Sequence, residues 1–314
     1  MKRMIPLLLL LCTLTACASG APEAADPPAE TDPSAETAPQ EETALPDTMA
    51  GTSTFAQAAP EQLTYTVTLE TLENSAQAED GTVLVNRSYH LPMMTVKRQD
   101  GTAVTAASTP AETAALAVAQ TFNDRFRAWA EDDRTDQEMT SWAEEDRAFR
   151  TEAGQVWISH TVDLDCTVYQ TEELVSVAAV YFSATGGAHP NTVLLAWNFD
   201  LTTGQFFTPE LLASDGQVFS QAVTEELIHQ SQETAASYDT APEDFFWPYY
   251  QDVLANWSSY AVSFDETGMT VAFSQYDLAA YVAGPQVYHL PYEMLEEYLS
   301  PHGLAMLGLA AVEK

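Results

Sequence analysis

Two strings in this sequence place chemically useful side chains close together. Tyr181-Phe182-Ser183-Ala184-Thr185-Gly186-Gly187-Ala188-His189-Pro190-Asn191 sets an imidazole beside two glycines. Gly186 and Gly187 allow a backbone with positive φ or the close approach of a ligand, and His189 can serve as ligand, acid/base group or hydrogen-bonded anchor. With no second His or Cys nearby, an anchoring role fits His189 better than a metal site. The second string, Phe273 to Pro285, presents Tyr276 and Tyr281 ahead of a Gly284-Pro285 turn. A loop tyrosine is a binding anchor of low entropic cost, and equally often a half-buried core residue. The candidate ligand-binding set is therefore Tyr181, Gly186, Gly187, His189, Asn191, Tyr276, Tyr281 and Gly284.

Signatures of catalysis are missing. There is no G-x-S-x-G, S-x-x-K, H-E-x-x-H, Walker A or Cys-His zinc spacing, and no EF-hand loop. Asp163 and Asp165 are followed by Cys166 and Thr167 rather than by further oxygen ligands, so calcium is a weak reading. No catalytic residue, cofactor or metal is expected. The remaining route to an enzyme is a pair of carboxylates acting as acid and base on a glycan.

Charge narrows the partners. The chain of 314 residues carries 46 Asp+Glu against 11 Lys+Arg, a formal charge of -35. Phosphate neutralisation needs Lys and Arg, so unaided nucleic-acid binding is excluded. From Thr151 to Glu313 there are 22 Asp+Glu and not one Lys or Arg. The apolar and aromatic residues interspersed there are too many for a disordered acidic tail. A folded, anionic surface steers cationic proteins toward it, although acidity also serves solubility alone.

These strings must be positioned by an α+β framework. Leu63, Tyr65, Val67 and Leu69 alternate with threonines as a half-buried strand, and Val83–His90 and Met93–Val96 read as two more. Thr109-Pro110-Ala111-Glu112 is a helix start with a capping box, and Leu116, Ala119, Phe122, Phe126 and Trp129 then form an apolar stripe. The helix is expected to run to about Glu152, with a break near residues 131–133. Strands follow over Trp157–Tyr169, Leu174–Ser183, Thr192–Phe199 and Gln205–Phe207, the last two turned by Thr202-Thr203-Gly204. Val218–Tyr238 is helical, Tyr260–Phe264 and Met269–Phe273 form a hairpin, and Pro291–Leu299 is a short helix. Strands in blocks with few helices between them indicate antiparallel sheets with one long helix and several shorter ones.

The N-terminus supplies an address. Lys2 and Arg3 precede an apolar run of 13 residues, Met4–Ala16, too short to span a bilayer of about 30 Å and typical of a signal peptide. It ends in Leu14-Thr15-Ala16-Cys17, which resembles the lipobox of bacterial lipoproteins and implies cleavage before Cys17 and its lipidation. Residues 17–60 then read as a lipidated cysteine and a disordered tether: Ala18–Pro60 has seven Pro, eight Asp+Glu and no Lys or Arg. Its coil reach is roughly 35 to 40 Å. The expected location is extracytoplasmic, with the membrane touched only through the lipid. Cys166, alone in the mature chain, reads as a small core residue of a strand rather than a nucleophile.

Four separated strings together carry a family resemblance. Tyr181 with Gly186-Gly187-Ala188-His189, Asn198 to Gly204, Phe273 to Gly284, and Pro291-Tyr292 with Leu295 and Leu299 resemble the RsiV-like extracytoplasmic domain. That domain occurs in lysozyme-sensing anti-sigma factors and beside the catalytic domain of PdaC-type peptidoglycan deacetylases. The resemblance spans about Trp157–Ser300, and the strands and helix before it resemble the accompanying N-terminal part. It implies a division into 61–155, a PdaC-like segment, and 156–314, an RsiV-like domain. Ala280 departs from the family, which often has Pro there. Only three residues precede the apolar run and the chain stops at Lys314, so neither a cytosolic sigma-binding segment nor a deacetylase domain is expected.

The resemblance and the charge together imply a surface lipoprotein that binds a basic, lysozyme-like protein without catalysis, through the Gly186–Asn191 and Asp277–Pro285 loops. The alternative is a peptidoglycan-binding envelope protein or a carboxylate-based hydrolase, with Trp157, Trp197, Trp247 and Trp257 either stacking on sugars or, more commonly for such residues, filling the core.

Overall fold

The computed structural model describes residues 62–309. The expected signal peptide, Cys17 and the spacer lie outside them. Alternation beginning at Leu63 becomes β1 (Thr64–Gln77), which pairs antiparallel with β2 (Val83–Lys97). The two short strands expected within residues 83–96 are thus one strand that passes through Pro92. Met94, on the same side of the ladder as Pro92, exchanges its N–H and C=O with the Asn123 amide at 2.6 and 2.9 Å. The missing Pro92 donor therefore faces away from β1, on the side where the pairing of β2 with β3 has already ended at His90 and Asp165, and no ladder bond is lost.

Thr109 caps α1 (Pro110–Arg134), its hydroxyl accepting from the Glu112 N–H at 3.1 Å. The Glu112 carboxylate reaches back as far as Ser108, accepting from its N–H and hydroxyl at 2.6 Å each, and meets Arg98 at 2.5 Å. Asp136 then caps α2 (Gln137–Glu152), so the helix breaks at residues 135–136, slightly later than expected. Ala115, Ala119, Phe122, Phe126 and Ala130 form the buried face of α1, with Leu116 and Trp129 at its margins.

The α1–α2 connection is long enough to carry the chain back to its starting end, and β3 (His160–Gln170) accordingly lies parallel to β2. This is the one departure from the antiparallel pairing expected throughout. β4 (Leu174–Ala184), β5 (Asn191–Asp200) and β6 (Gln205–Phe207) continue antiparallel, giving a sheet in the order β1-β2-β3-β4-β5-β6. The sheet runs without interruption across the boundary expected between residues 155 and 156.

One face of this sheet packs on α1 and α2 around Tyr89, Leu164, Val177 and Phe199. Past the sheet, α3 (Gly216–Ser237) covers a second, antiparallel sheet of β7 (Ala261–Phe264), β8 (Gly268–Phe273) and β9 (Gln286–Pro291). This second core includes Phe219, Leu227, Trp257, Val271 and Leu290. It joins the other face of β4 and β5 through buried hydrogen bonds. Ser176 donates to Asn198 Oδ1 at 2.8 Å and accepts from the Phe264 N–H at 2.8 Å, while the Asn198 amide donates to the Val262 carbonyl at 2.8 Å. The described chain therefore has two cores that share a sheet.

Candidate functional site

The site begins with a problem of edge satisfaction. β6 covers β5 only over Asn198–Asp200, which leaves outward N–H groups earlier in β5 without a strand partner. The residues after β8 fill that edge with side chains. Gln275 Oε1 accepts from the Thr192 N–H and Ser274 Oγ from the Leu194 N–H, each at 2.9 Å. To hold this position the chain turns through Tyr276 at φ +73°, a left-handed conformation uncommon for a bulky residue. Asp277 closes the turn by accepting from the Ser274 N–H at 2.6 Å, and Trp247 donates its indole N–H to the Tyr276 carbonyl at 3.0 Å. Burial pushes the Asp277 carboxyl above its ordinary value, with the Ser274 N–H pulling the other way.

This turn brings the two sequence strings together. The Tyr276 hydroxyl lies 3.1 Å from His189 Nε2, and the His189 ring stacks on Tyr281 with centroids 3.6 Å apart and planes 19° from parallel. The rings of Tyr276 and Tyr281 are 5.7 Å apart. His189 Nδ1 faces the Pro190 carbonyl at 3.3 Å. A carbonyl only accepts, so Nδ1 carries the proton in the neutral ring and Tyr276 donates to Nε2. Tyr276 stays 47% exposed and the adjoining Val282 93% exposed. His189 is thus an anchor between two tyrosines, with an aromatic surface open to solvent beside it.

α2 pins the other side of the loop. Arg150 donates to the Gly186 carbonyl at 3.1 Å and is held by Asp146 at 2.8 Å. Gly186 sits at φ +74°, and a Cβ there would lie 2.7 Å from Asp146 Oδ2, so both its conformation and its surroundings require glycine. Gly186, Gly187 and His189 line a hollow of about 310 Å³ together with Arg150, Ile158 and Thr161. Asn191 opens β5 opposite Ser183 and is exposed, but it does not line the hollow. Gly284, at φ +70°, ends the turn Tyr281–Ala283 that carries the stacked ring.

Tyr181 is placed elsewhere. It lies on the helix-covered face of β4, where its hydroxyl donates to Asp133 Oδ1 at 2.7 Å and its ring meets Trp129 at 5.7 Å. Tyr89 donates to the other Asp133 oxygen at 2.5 Å, and Arg87 approaches the same carboxylate at 3.5 Å. Burial raises the Tyr181 phenol well above its usual range, which keeps it a donor. Tyr181 therefore fastens the end of α1 to the sheet and takes no part in the loop cluster. Arg87 and Asp133 escaped the sequence reading; the available signal was an arginine at an inward position of an alternating strand.

Other candidates resolve in the same way. Burial pushes the Cys166 thiol up to about 12, and it remains a core residue. Trp257 is fully buried, Trp157 and Trp247 spend their indole N–H groups on the Val83 and Tyr276 carbonyls, and Trp197 packs on Phe126. Asp165 pairs with His90 at 2.5 Å on the open face of the sheet. Among the described residues no group of three or more His, Cys, Asp or Glu is arranged to hold a metal ion. The titratable side chains lining the Gly186 hollow are Arg150 and His189.

The architecture has relatives among solved structures. A DUF3298-family protein from Bacteroides fragilis is similar over 79% of this chain and 98% of its own, with a TM-score of 0.51 at 16% identity. The two chains share a fold. A DUF3298-family protein from Pseudomonas aeruginosa aligns over 78% of this chain and 97% of its own, with a TM-score of 0.41 at 18% identity. No family model matches the sequence, and no curated protein matches it either. Among the described residues no helix is long and apolar enough to cross a membrane.

Proposed function

We propose that this protein is a lipid-anchored, extracytoplasmic binding module, without catalysis of its own, whose ligand is a cationic protein of the lysozyme type. The observation that carries the reading is the His189–Tyr276–Tyr281 cluster, assembled from two strings about ninety residues apart and left partly open. Rigid tyrosines are good interface anchors because they bring large contact area with few torsions to freeze. Their setting is a stretch from Thr151 to Glu313 without a single Lys or Arg, which favours a basic partner by steering and discourages acidic ones. Cys17 supplies the anchor, and the acidic spacer holds the domain off the membrane.

Titrating the full chain with a strongly basic animal-type lysozyme at low and then moderate salt tests the reading. Saturable binding that weakens as salt rises is the expected result, because exposed charges are screened beyond about 10 Å at 0.1 M salt. Absence of binding at low salt removes the proposal.

A further inference from the structure

β1 is an edge strand, and its register shows which backbone groups remain free. Met94, opposite Val67, gives its N–H and C=O to Asn123, so this pair does not bond across the ladder. Pairing continues without a shift as far as Ala76. By the alternation of antiparallel ladders, Leu69, Thr71, Glu73 and Ser75 turn their N–H and C=O outward along with Val67. Earlier in the same row, the Tyr65 carbonyl is taken by the Gln170 amide at 2.9 Å. From Val67 to Ser75 nothing among the described residues pairs with this edge. Thr68–Glu73 are exposed throughout. Edges are usually protected by charged side chains, Lys especially, by Pro or by a bulge; β1 has no Lys, Pro or bulge before the irregularity at Ala76/Gln77, and its charges there are the carboxylates of Glu70 and Glu73.

We propose that the outer edge of β1 accepts an extended, cationic polypeptide segment as an added strand. The backbone holds such a segment extended along β1, and the side chains select its chemistry. Leu69 and Leu72, 50% and 43% exposed, offer an apolar contact on either face, and Glu73 and Glu70 stand beside them with carboxylates. A second copy of β1 would set these glutamates against their own kind in chains of formal charge -35, which is destabilising across a strand pair. The spacer of this chain, with eight acidic residues and no basic one, meets the same objection. A segment that alternates Lys or Arg with apolar residues has its cations on one face and its apolar row on the other, so it meets Glu73 and Leu72 together, or Glu70 and Leu69, according to register. The surface lies at the opposite end of the strand order from the β5 edge that Ser274 and Gln275 cover, so it is distinct from the tyrosine cluster.

Amide hydrogen exchange on the full chain, with and without a peptide of five Lys-Val repeats, tests the proposal, a peptide of five Glu-Val repeats being the control. The expected result is saturable binding of the Lys-Val peptide with new protection at 67–75, and none with the control. Thr71→Pro removes an outward N–H while leaving the β1–β2 ladder intact, and it weakens binding about tenfold or more. Glu70→Lys with Glu73→Lys reverses the preference between the two peptides, and decides the matter should the proline variant fail to fold. Protection confined to other segments, unchanged affinity in a folded Thr71→Pro protein, or self-association through β1 without peptide overturns the proposal.

Discussion

At the scale of single residues, the candidate loops are governed by two constraints that the sequence shows unequally. Gly186 was visible as a glycine in a suspicious string, but its reason, the Asp146–Arg150 pair packed against it, comes from a helix 36 residues away. Gly186→Ala costs about 1–2 kcal/mol for the left-handed backbone and displaces Arg150, and chemical denaturation should show it. Asp277 carries the opposite kind of strain. Its folded pKa is raised by burial, so its contribution is fully present below the usual carboxylate value and is lost as pH rises through the raised one. Asp277→Asn keeps an acceptor for the Ser274 N–H and removes the charge. Its melting temperature should exceed that of the wild type at pH 7, and the difference should vanish near pH 3. Tyr181 could not be placed from sequence, because its partner Asp133 sits at the end of a helix 48 positions away.

At the scale of elements, strands with clean alternation and the capped start of α1 were legible, since each is decided by neighbours in sequence. Three features were not. The parallel β2–β3 pairing follows from the direction in which the α1–α2 crossover returns the chain. The passage of β2 through Pro92 depends on the side of the ladder that the proline faces. β9 hides because Gln286 occupies an inward position, where its amide donates to the Ala283 carbonyl at 2.9 Å. The joint between the two cores gives the prediction at this scale. Ser176→Ala leaves Asn198 Oδ1 and the Phe264 N–H unsatisfied in a buried setting, a loss of about 1–3 kcal/mol measurable in urea. Trp257→Ala, fully buried against Phe219, should cost about 3–5 kcal/mol by cavity formation.

At the scale of the whole molecule, charge and fold work together. The basic residues of the described chain lie in its first half, several of them in local pairs such as Arg98–Glu112, Arg134–Glu131 and Arg150–Asp146. The half that carries the tyrosine cluster is left with carboxylates alone. Two strings that share no local contact in sequence meet because β5 lacks a full partner and the turn after β8 supplies one. Binding of a basic, lysozyme-type protein through that junction is the central claim, and the Tyr276→Ala, Tyr281→Ala double variant tests it most directly. In a titration with lysozyme at low salt, and with the variant's fold checked by far-UV circular dichroism, affinity should fall about thirtyfold or more if these rings are interface anchors. An affinity unchanged from that of the wild-type chain would contradict the account.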